Sequence, residues 1–398
     1  MEMKNVKLGD IATIFNGNSI NKDVKAQKYT KNVPGWNYIG TKDIGFDGSI
    51  IYDNGVVIPY SETGFRIAPA GTVFVCSEGG SAGKKTAIVK EDVCFGNKLF
   101  AIVNEKRLFC EKYVFFYTRY KKFSEQFRLL ATSLMGGISS KNFSTIEIPL
   151  ASLDEQKRIV NKIEELFSEL DSAVETLKKT KEQLAVYRQS VLKSAFEKCE
   201  KSKKMGDVAT MIDPHPSHRT PPEYENGIPF IGVGDIDYKE KSIKMNEARK
   251  VNPSIYNEHI ERYTIHAGDF IMGKIGTIGK PYRLPLPQNY VLSANVILIQ
   301  PNTEIINPEY LFWQFSSSFI VEQLMEGKNE TSQPAFGIQK ARLLNIKMCD
   351  CKEQNKIVKS LRLKMSACDE IEKTINEALT QAEAMRQSIL KKAFEGEL

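Results

Sequence analysis

The sequence predicts an α+β protein written as an internal repeat: two homologous globular domains, each followed by one long coiled-coil helix. Three observations carry that expectation. The phrase RQSVLKSAFEK at 188–198 returns as RQSILKKAFEG at 386–396, 198 positions later in a chain of 398. Other phrases return in the same order: LGDIATIF (8–15) as MGDVATMI (205–212), IGTKDI (39–44) as IGVGDI (231–236), AGTVFV (70–75) as AGDFIM (267–272), and EQKRIV (155–160) as EQNKIV (353–358). Solenoid repeats recur every few tens of residues, so a period this long means two homologous halves. Finally, glycine and proline, which break helices, are absent between Pro149 and Gly206 and between Gly337 and Gly396.

Four segments follow in order. Residues 1–150 form the first globular domain. They hold short β-rich runs such as GTVFVCS and LFAIVN, then an aromatic helix expected over 111–130. Residues 151–200 form the first long helix, opened by Ser152 with Glu155 three positions on, the spacing of a capping box. Residues 201–347 form the second domain, with DFIMG and NVILIQP as strands and an aromatic helix expected over 308–325. Residues 348–398 form the second long helix, opened by Asp350 and Glu353.

The apolar spacing within both helices is 3-4-3-4, that of a coiled-coil seam. It runs Ile163, Leu166, Leu170, Ala173, Leu177, Thr180, Leu184, Tyr187, Val191 in the first. In the second it runs Leu361, Lys364, Cys368, Ile371, Ile375, Ala378, Ala382, Met385, Ile389. An amphipathic helix lying on a globular core is the plainer alternative. A helix of this length spans about 65 Å at 1.5 Å per residue, which favours the seam.

Composition narrows the function classes. No run approaches the roughly 18 apolar residues of a membrane span. MEMKNVKLGD has no signal-peptide apolar region. Seven cysteines without framework spacing fit reduced thiols in a cytoplasmic protein. The net charge of +6 sits in residues 1–150, with 20 basic against 14 acidic side chains. That permits nucleic-acid binding without requiring it.

Motifs that suggest catalysis fail on inspection. SEGGSAGKKT (77–86) resembles a phosphate loop, but Gly79 and Gly83 are one residue too close for it, and GKIGTIGK (273–280) fails as well. TPPE (220–223) lacks the flanking residues of an amino-methyltransferase motif. DIDYKEK (235–241) has no matching lysine in the first half. His215 and His218, with Cys349 and Cys351, lack the spacing and the repetition of a zinc site. No nucleophile–base arrangement recurs between halves, so no catalytic residue and no metal site are expected. YTRYKKFSEQFR (117–128) interleaves basic and aromatic residues, whose basic members form either a solvated helix face or a DNA-facing one.

With these phrases in place, the chain resembles the specificity subunit of type I restriction–modification systems over nearly its whole length. The resemblance rests on the duplicated plan, on EQKRIV and EQNKIV opening the helices, on VLKSAFE and ILKKAFEGEL closing them, and on GIPFIGVGDI and GTIGK in the second domain. It implies that each globular domain is a target-recognition domain reading half of a bipartite double-stranded DNA target. It implies that the two helices run antiparallel as a spacer, giving a pseudo-twofold frame. Two methyltransferase subunits would dock there, joined by motor-nuclease subunits. S-adenosylmethionine, ATP and Mg would belong to those partners, with no cofactor in this chain. The chain itself would be non-catalytic and cytoplasmic. The alternatives are the specificity protein of a related type II or phage-defence methyltransferase system, or a coiled-coil scaffold that binds no DNA.

Base readout needs polar side chains on loops, with basic ones positioning the backbone. Candidates in loops present in both halves are Asn18, Ser19, Lys42, Ser81, Lys84, Lys85, Ser139 and Lys141 in the first. In the second they are His215, Ser217, His218, Arg219, Lys274, Thr277, Lys280, Thr331, Gln333 and Lys340. The repeated helix ends suggest partner docking through Arg188, Lys193, Phe196, Arg386, Lys391 and Phe394. Each of these could equally be a plain surface residue.

Overall fold

The computed structural model describes residues 3–30, 33–131, 137–217, 219–275, 277–327 and 335–398. The chain divides into two compact units, Met1–Leu177 with Asn376–Leu398, and Lys178–Ile375. The units cut through both long helices, so each contains the start of one and the end of the other.

The first unit is built on a four-stranded antiparallel sheet, in the order Thr13–Asn16, Leu99–Val103, Val73–Cys76, Thr86–Ile88. Its central strands, VFVC and LFAIV, are buried throughout, because both faces are covered. Alternate side chains point to opposite faces. Val73, Val75, Phe100 and Ile102 therefore pack on the aromatic helices. Phe74, Cys76, Leu99, Ala101 and Val103 pack on the other layer. That layer includes a mixed sheet in the order Val57–Pro59, Gly35–Ile39, Val93–Phe95, Ile67–Ala68. Strand Lys4–Lys7 closes the unit by pairing with Glu147–Leu150.

The second unit repeats the plan. Its main sheet runs Ala209–Ile212, Val296–Pro301, Phe270–Gly273, Pro281–Arg283. Phe270, Met272, Ile297 and Ile299 face one core, and Ile271, Val296 and Leu298 the other. The parallel pairing also recurs, between Ile228–Ile231 and Val291–Leu292, and Lys201–Lys204 pairs with Asn345–Met348.

Each expected aromatic helix is two helices. They are Glu111–Thr118 and Lys121–Leu130 in the first unit, and Pro308–Phe315 and Ser318–Gly327 in the second. The break re-aims the second piece. Tyr120 is extended, with ψ 139°, and the new helix then buries Phe123 and Phe127.

The long helices, Leu153–Glu197 and Cys351–Glu395, are each 45 residues. Their caps are those the sequence gives. The Glu155 amide donates to the Ser152 hydroxyl at 3.4 Å and the Glu353 amide to the Asp350 carboxylate at 2.8 Å. The repeated Glu-Gln has a structural cause. Gln156 and Gln354 are buried, and their side-chain oxygens accept from the Cys110 and Asn307 amides, both at 2.8 Å. Each glutamine thus ties the start of its long helix to the start of the aromatic helix in the same unit.

The seam departs from expectation at alternate positions. Ala173, Thr180 and Tyr187 are exposed, as are Lys364, Ile371 and Met385. Their neighbours Val174, Lys181, Arg188, Met365, Glu372 and Arg386 are more covered. Several of these are charged, which a search for apolar spacing passes over.

Candidate nucleic-acid interface

In each unit the same three loops meet at one end of the main sheet. In the first, Asn18 follows the first sheet strand, and its amide donates to the Phe95 carbonyl at 2.8 Å. Gly17 lies against that carbonyl so closely that any Cβ would collide with it. The glycine-rich turn leaves the same end of the sheet after Cys76. The Gly83 amide donates to the Cys76 carbonyl at 2.8 Å, and Gly83 has φ +66°. The third loop joins where the Ile138 amide donates to the Ser77 carbonyl at 3.2 Å.

The second unit reproduces the last two of these bonds with different side chains. The Gly279 amide donates to the Gly273 carbonyl at 3.1 Å, and the Phe336 amide to the Lys274 carbonyl at 2.9 Å. Lys274 also forms a half-buried ion pair with Asp213 at 2.9 Å, which joins the glycine-rich turn to the loop after the first sheet strand.

This geometry sorts the sequence candidates. Ser19, Lys42, Lys84 and Lys141 are exposed in the first unit, as are Ser217, Arg219, Thr277 and Lys280 in the second. Of these, Lys280 stands 4.2 Å from the Tyr238 ring centre and the Ser217 hydroxyl lies 2.8 Å from His215 Nε2. Others are held more fully within the fold. Asn18 donates to the Gly64 carbonyl and accepts from the Arg66 amide at 2.8 Å. Ser81 is half-buried in its turn. Lys85 donates to the Thr41 carbonyl at 3.2 Å and lies 5.1 Å from the Phe46 ring centre. Ser139 caps the helix Ser140–Phe143. Lys340 donates to the Gly327 carbonyl at 3.0 Å. His215, expected to face solvent, is interior and bonded to His259. His218, Thr331 and Gln333 lie outside the described residues.

One basic group escapes a sequence reading. The helix Lys22–Lys28 buries none of its residues, and its Lys25 lies 4.4 Å from the Tyr38 ring centre. Partial desolvation of the half-covered Lys25 amine, with the charge of nearby Lys42, holds it below its ordinary pKa. The signal was weak because NKDVKAQKY carries no apolar stripe.

The expected docking residues divide as well. Phe196 and Phe394 are 2% and 5% exposed, so neither forms a docking surface. Phe394 packs its ring against Tyr113, Tyr117 and Tyr120, and Phe196 packs against Tyr310. The repeated phrase is thus a core element in both units. Arg188 pairs with Asp369 at 2.8 Å and Glu372 at 3.0 Å. Arg386 pairs with Asp171, the same bond at the equivalent position of the repeat. Lys193 and Lys391 are exposed, Lys391 with Glu395 at 3.8 Å.

Among the described residues no helix is long and apolar enough to cross a membrane. The profile of the type I restriction modification DNA specificity domain matches residues 1–185 and again 199–381. The chain is similar to the EcoBI type I restriction enzyme specificity subunit of Escherichia coli, at 26% identity over 288 residues. That match covers 66% of this chain and 60% of the relative, so it spans under two thirds of that protein's length. The EcoKI specificity subunit of Escherichia coli K12 is 24% identical over 359 residues, covering 84% of this chain and 76% of the relative. Two solved structures share the fold, each at 16% sequence identity. One, from work on complex assembly and conformational transition of the type I R-M system, has a TM-score of 0.76 and covers 100% of this chain and 98% of that one. The other, the HsdS subunit from Thermoanaerobacter tengcongensis, has a TM-score of 0.53 and covers 100% and 97%.

Proposed function

The chain belongs to the type I restriction modification DNA specificity family in both of its halves, and from that premise we propose that it is the DNA-recognition subunit of a type I restriction–modification complex. Each globular domain reads one half of a bipartite target in double-stranded DNA. The long helices set the spacing and dock two methyltransferase subunits, which motor-nuclease subunits join. The methyl donor, ATP and Mg are held by those partners, and this chain does no bond-making chemistry.

The observation that carries this reading is the loop cluster. The same backbone bonds build it twice, Ile138 to Ser77 and Phe336 to Lys274. Yet the side chains it presents differ between halves, as two readers of unlike half-sites require. Phosphate contacts give affinity and register, and groove contacts give sequence. Exposed Lys84 and Lys280 suit the first role, and Ser19, Ser217 and Arg219 the second.

Reconstitution tests this. The chain, co-purified with its methyltransferase subunits, is expected to direct methylation to one motif of two short half-sites around a fixed unread spacer. The pure chain alone is expected to transfer no label from S-adenosylmethionine. Methylation at a continuous unsplit motif, or transfer by the chain alone, would refute the reading.

A further inference from the structure

The second unit contains a buried hydrogen-bond chain with no counterpart among the first unit's side chains, because all four histidines of the protein lie in the second half. His259, on the helix Pro253–Arg262, is 0% exposed, and His215 is 7% exposed. His215 Nδ1 and His259 Nε2 are 3.1 Å apart. His259 Nδ1 and the Tyr263 hydroxyl are 3.0 Å apart. His215 Nε2 lies 2.9 Å from the Arg219 carbonyl and 2.8 Å from the Ser217 hydroxyl. The Phe230 ring closes the edge of His215 in a T-shaped contact, with centres 5.3 Å apart.

Backbone groups fix the proton order at both ends. The Leu292 amide donates to the Tyr263 oxygen at 3.1 Å. The hydroxyl keeps its own proton, and a buried donor left unbonded is costly. His259 Nδ1 accepts the hydrogen bond from that hydroxyl and is therefore the bare nitrogen of its ring, so the ring hydrogen sits on Nε2. At the other end His215 Nε2 faces both the Ser217 hydroxyl and the Arg219 carbonyl. The carbonyl can only accept, and a bare nitrogen would set lone pair against lone pair there. His215 therefore carries its hydrogen on Nε2, the Ser217 oxygen accepts beside the carbonyl, and Nδ1 is bare. The two deductions meet in the middle: His259 Nε2–H donates to His215 Nδ1. Both rings are neutral and share one tautomer, and the donors run in a single direction from Tyr263 to Arg219.

We propose that His259, through His215, is a positioning residue that fixes the loop carrying Ser217 and Arg219 for DNA readout by the second domain. Among its described residues the loop has no helix or strand between Ile212 and Ile228. This chain and the Asp213–Lys274 pair hold it to the scaffold. Ser217 and Arg219 remain exposed. The inference rests on the assignment of the second domain as a DNA reader.

Two measurements on the full chain test it. With ¹⁵N-labelled histidine there are only four imidazoles to assign. At neutral pH, His215 and His259 should both appear as neutral rings with the hydrogen on Nε2. An Nδ1–H tautomer or a charged ring at either position overturns the proton order.

The second measurement uses the reconstituted methyltransferase complex on duplexes carrying its mapped motif with single-base changes. His259→Phe and Tyr263→Phe should each lose about tenfold in discrimination at the second domain's half-site. The other half-site should be unaffected. His259→Gln, whose side-chain amide can still donate to His215, should stay near the parent. Tyr263→Phe serves if His259→Phe does not fold. Unchanged discrimination in both Phe variants, while exchange of residues 201–347 still alters that half-site, would overturn the positioning role alone. If that exchange alters neither half-site, the assignment of the domain fails, and the positioning role with it.

Discussion

Lys84 and Lys85 are adjacent in sequence and unlike in use. Lys84 is exposed, with a single contact to the Gly80 carbonyl at 3.3 Å, while Lys85 is held by the Thr41 carbonyl and stands over Phe46. If the turn meets DNA, Lys84→Ala is expected to lower the slope of log affinity against log salt by about one. Lys85→Ala should change that slope less and lower thermal stability more. Titrations at several salt concentrations, with melting curves, separate the two. Equal slope losses would contradict the assignment.

His259 gives a second prediction at this scale. Burial, with His215 beside it, pushes its pKa down from 6.5 to about 4. The charged groups facing it are Glu258, which acts the other way, and Arg262, which adds to the depression. A folded-state pKa below the unfolded value means that the unfolded chain binds the proton more readily. The associated stability is therefore complete above about pH 6.5 and drains as pH falls towards 4. His259→Gln should show a shallower loss of melting temperature across that window than the parent. Parallel profiles would contradict the buried neutral ring.

The long helices were legible as elements and only half legible as a seam. Two stretches free of glycine and proline, opened by Ser152 and Asp350, give their extent. The seam's second row was missed because it is partly charged. Arg188 with Asp369, and Arg386 with Asp171, occupy places where an apolar count finds none. The repeated closing phrase misled in the other direction. Its phenylalanines looked like paired docking points, but they are interior: Phe394 packs on Tyr113, Tyr117 and Tyr120 in one unit, and Phe196 on Tyr310 in the other. Phe394→Ala should therefore cost the first unit about 3–5 kcal/mol, and Phe196→Ala the second a similar amount. Denaturant melts with a probe in each unit would show the loss confined to the mutated unit's transition. Loss below about 1 kcal/mol would return these residues to a surface role.

At the scale of the whole molecule, the duplication was plain because order, phrases and helix lengths repeat together. The loop cluster was not, because its three loops lie roughly 60 residues apart along each half, and strand register, backbone bonds and the Asp213–Lys274 pair are what bring them to one end of the sheet. What the duplication produces is one scaffold twice, with different side chains at the same place. The central claim is that each half reads its own half-site, and methylation mapping after a domain exchange tests it most directly. Residues 1–150 are replaced by the corresponding domain of a relative with a different target, and the complex is reconstituted with its methyltransferase. The account predicts that one half-site changes to the donor's, while the other half-site and the spacer length are kept. A map in which both half-sites change together, or neither changes, would contradict it.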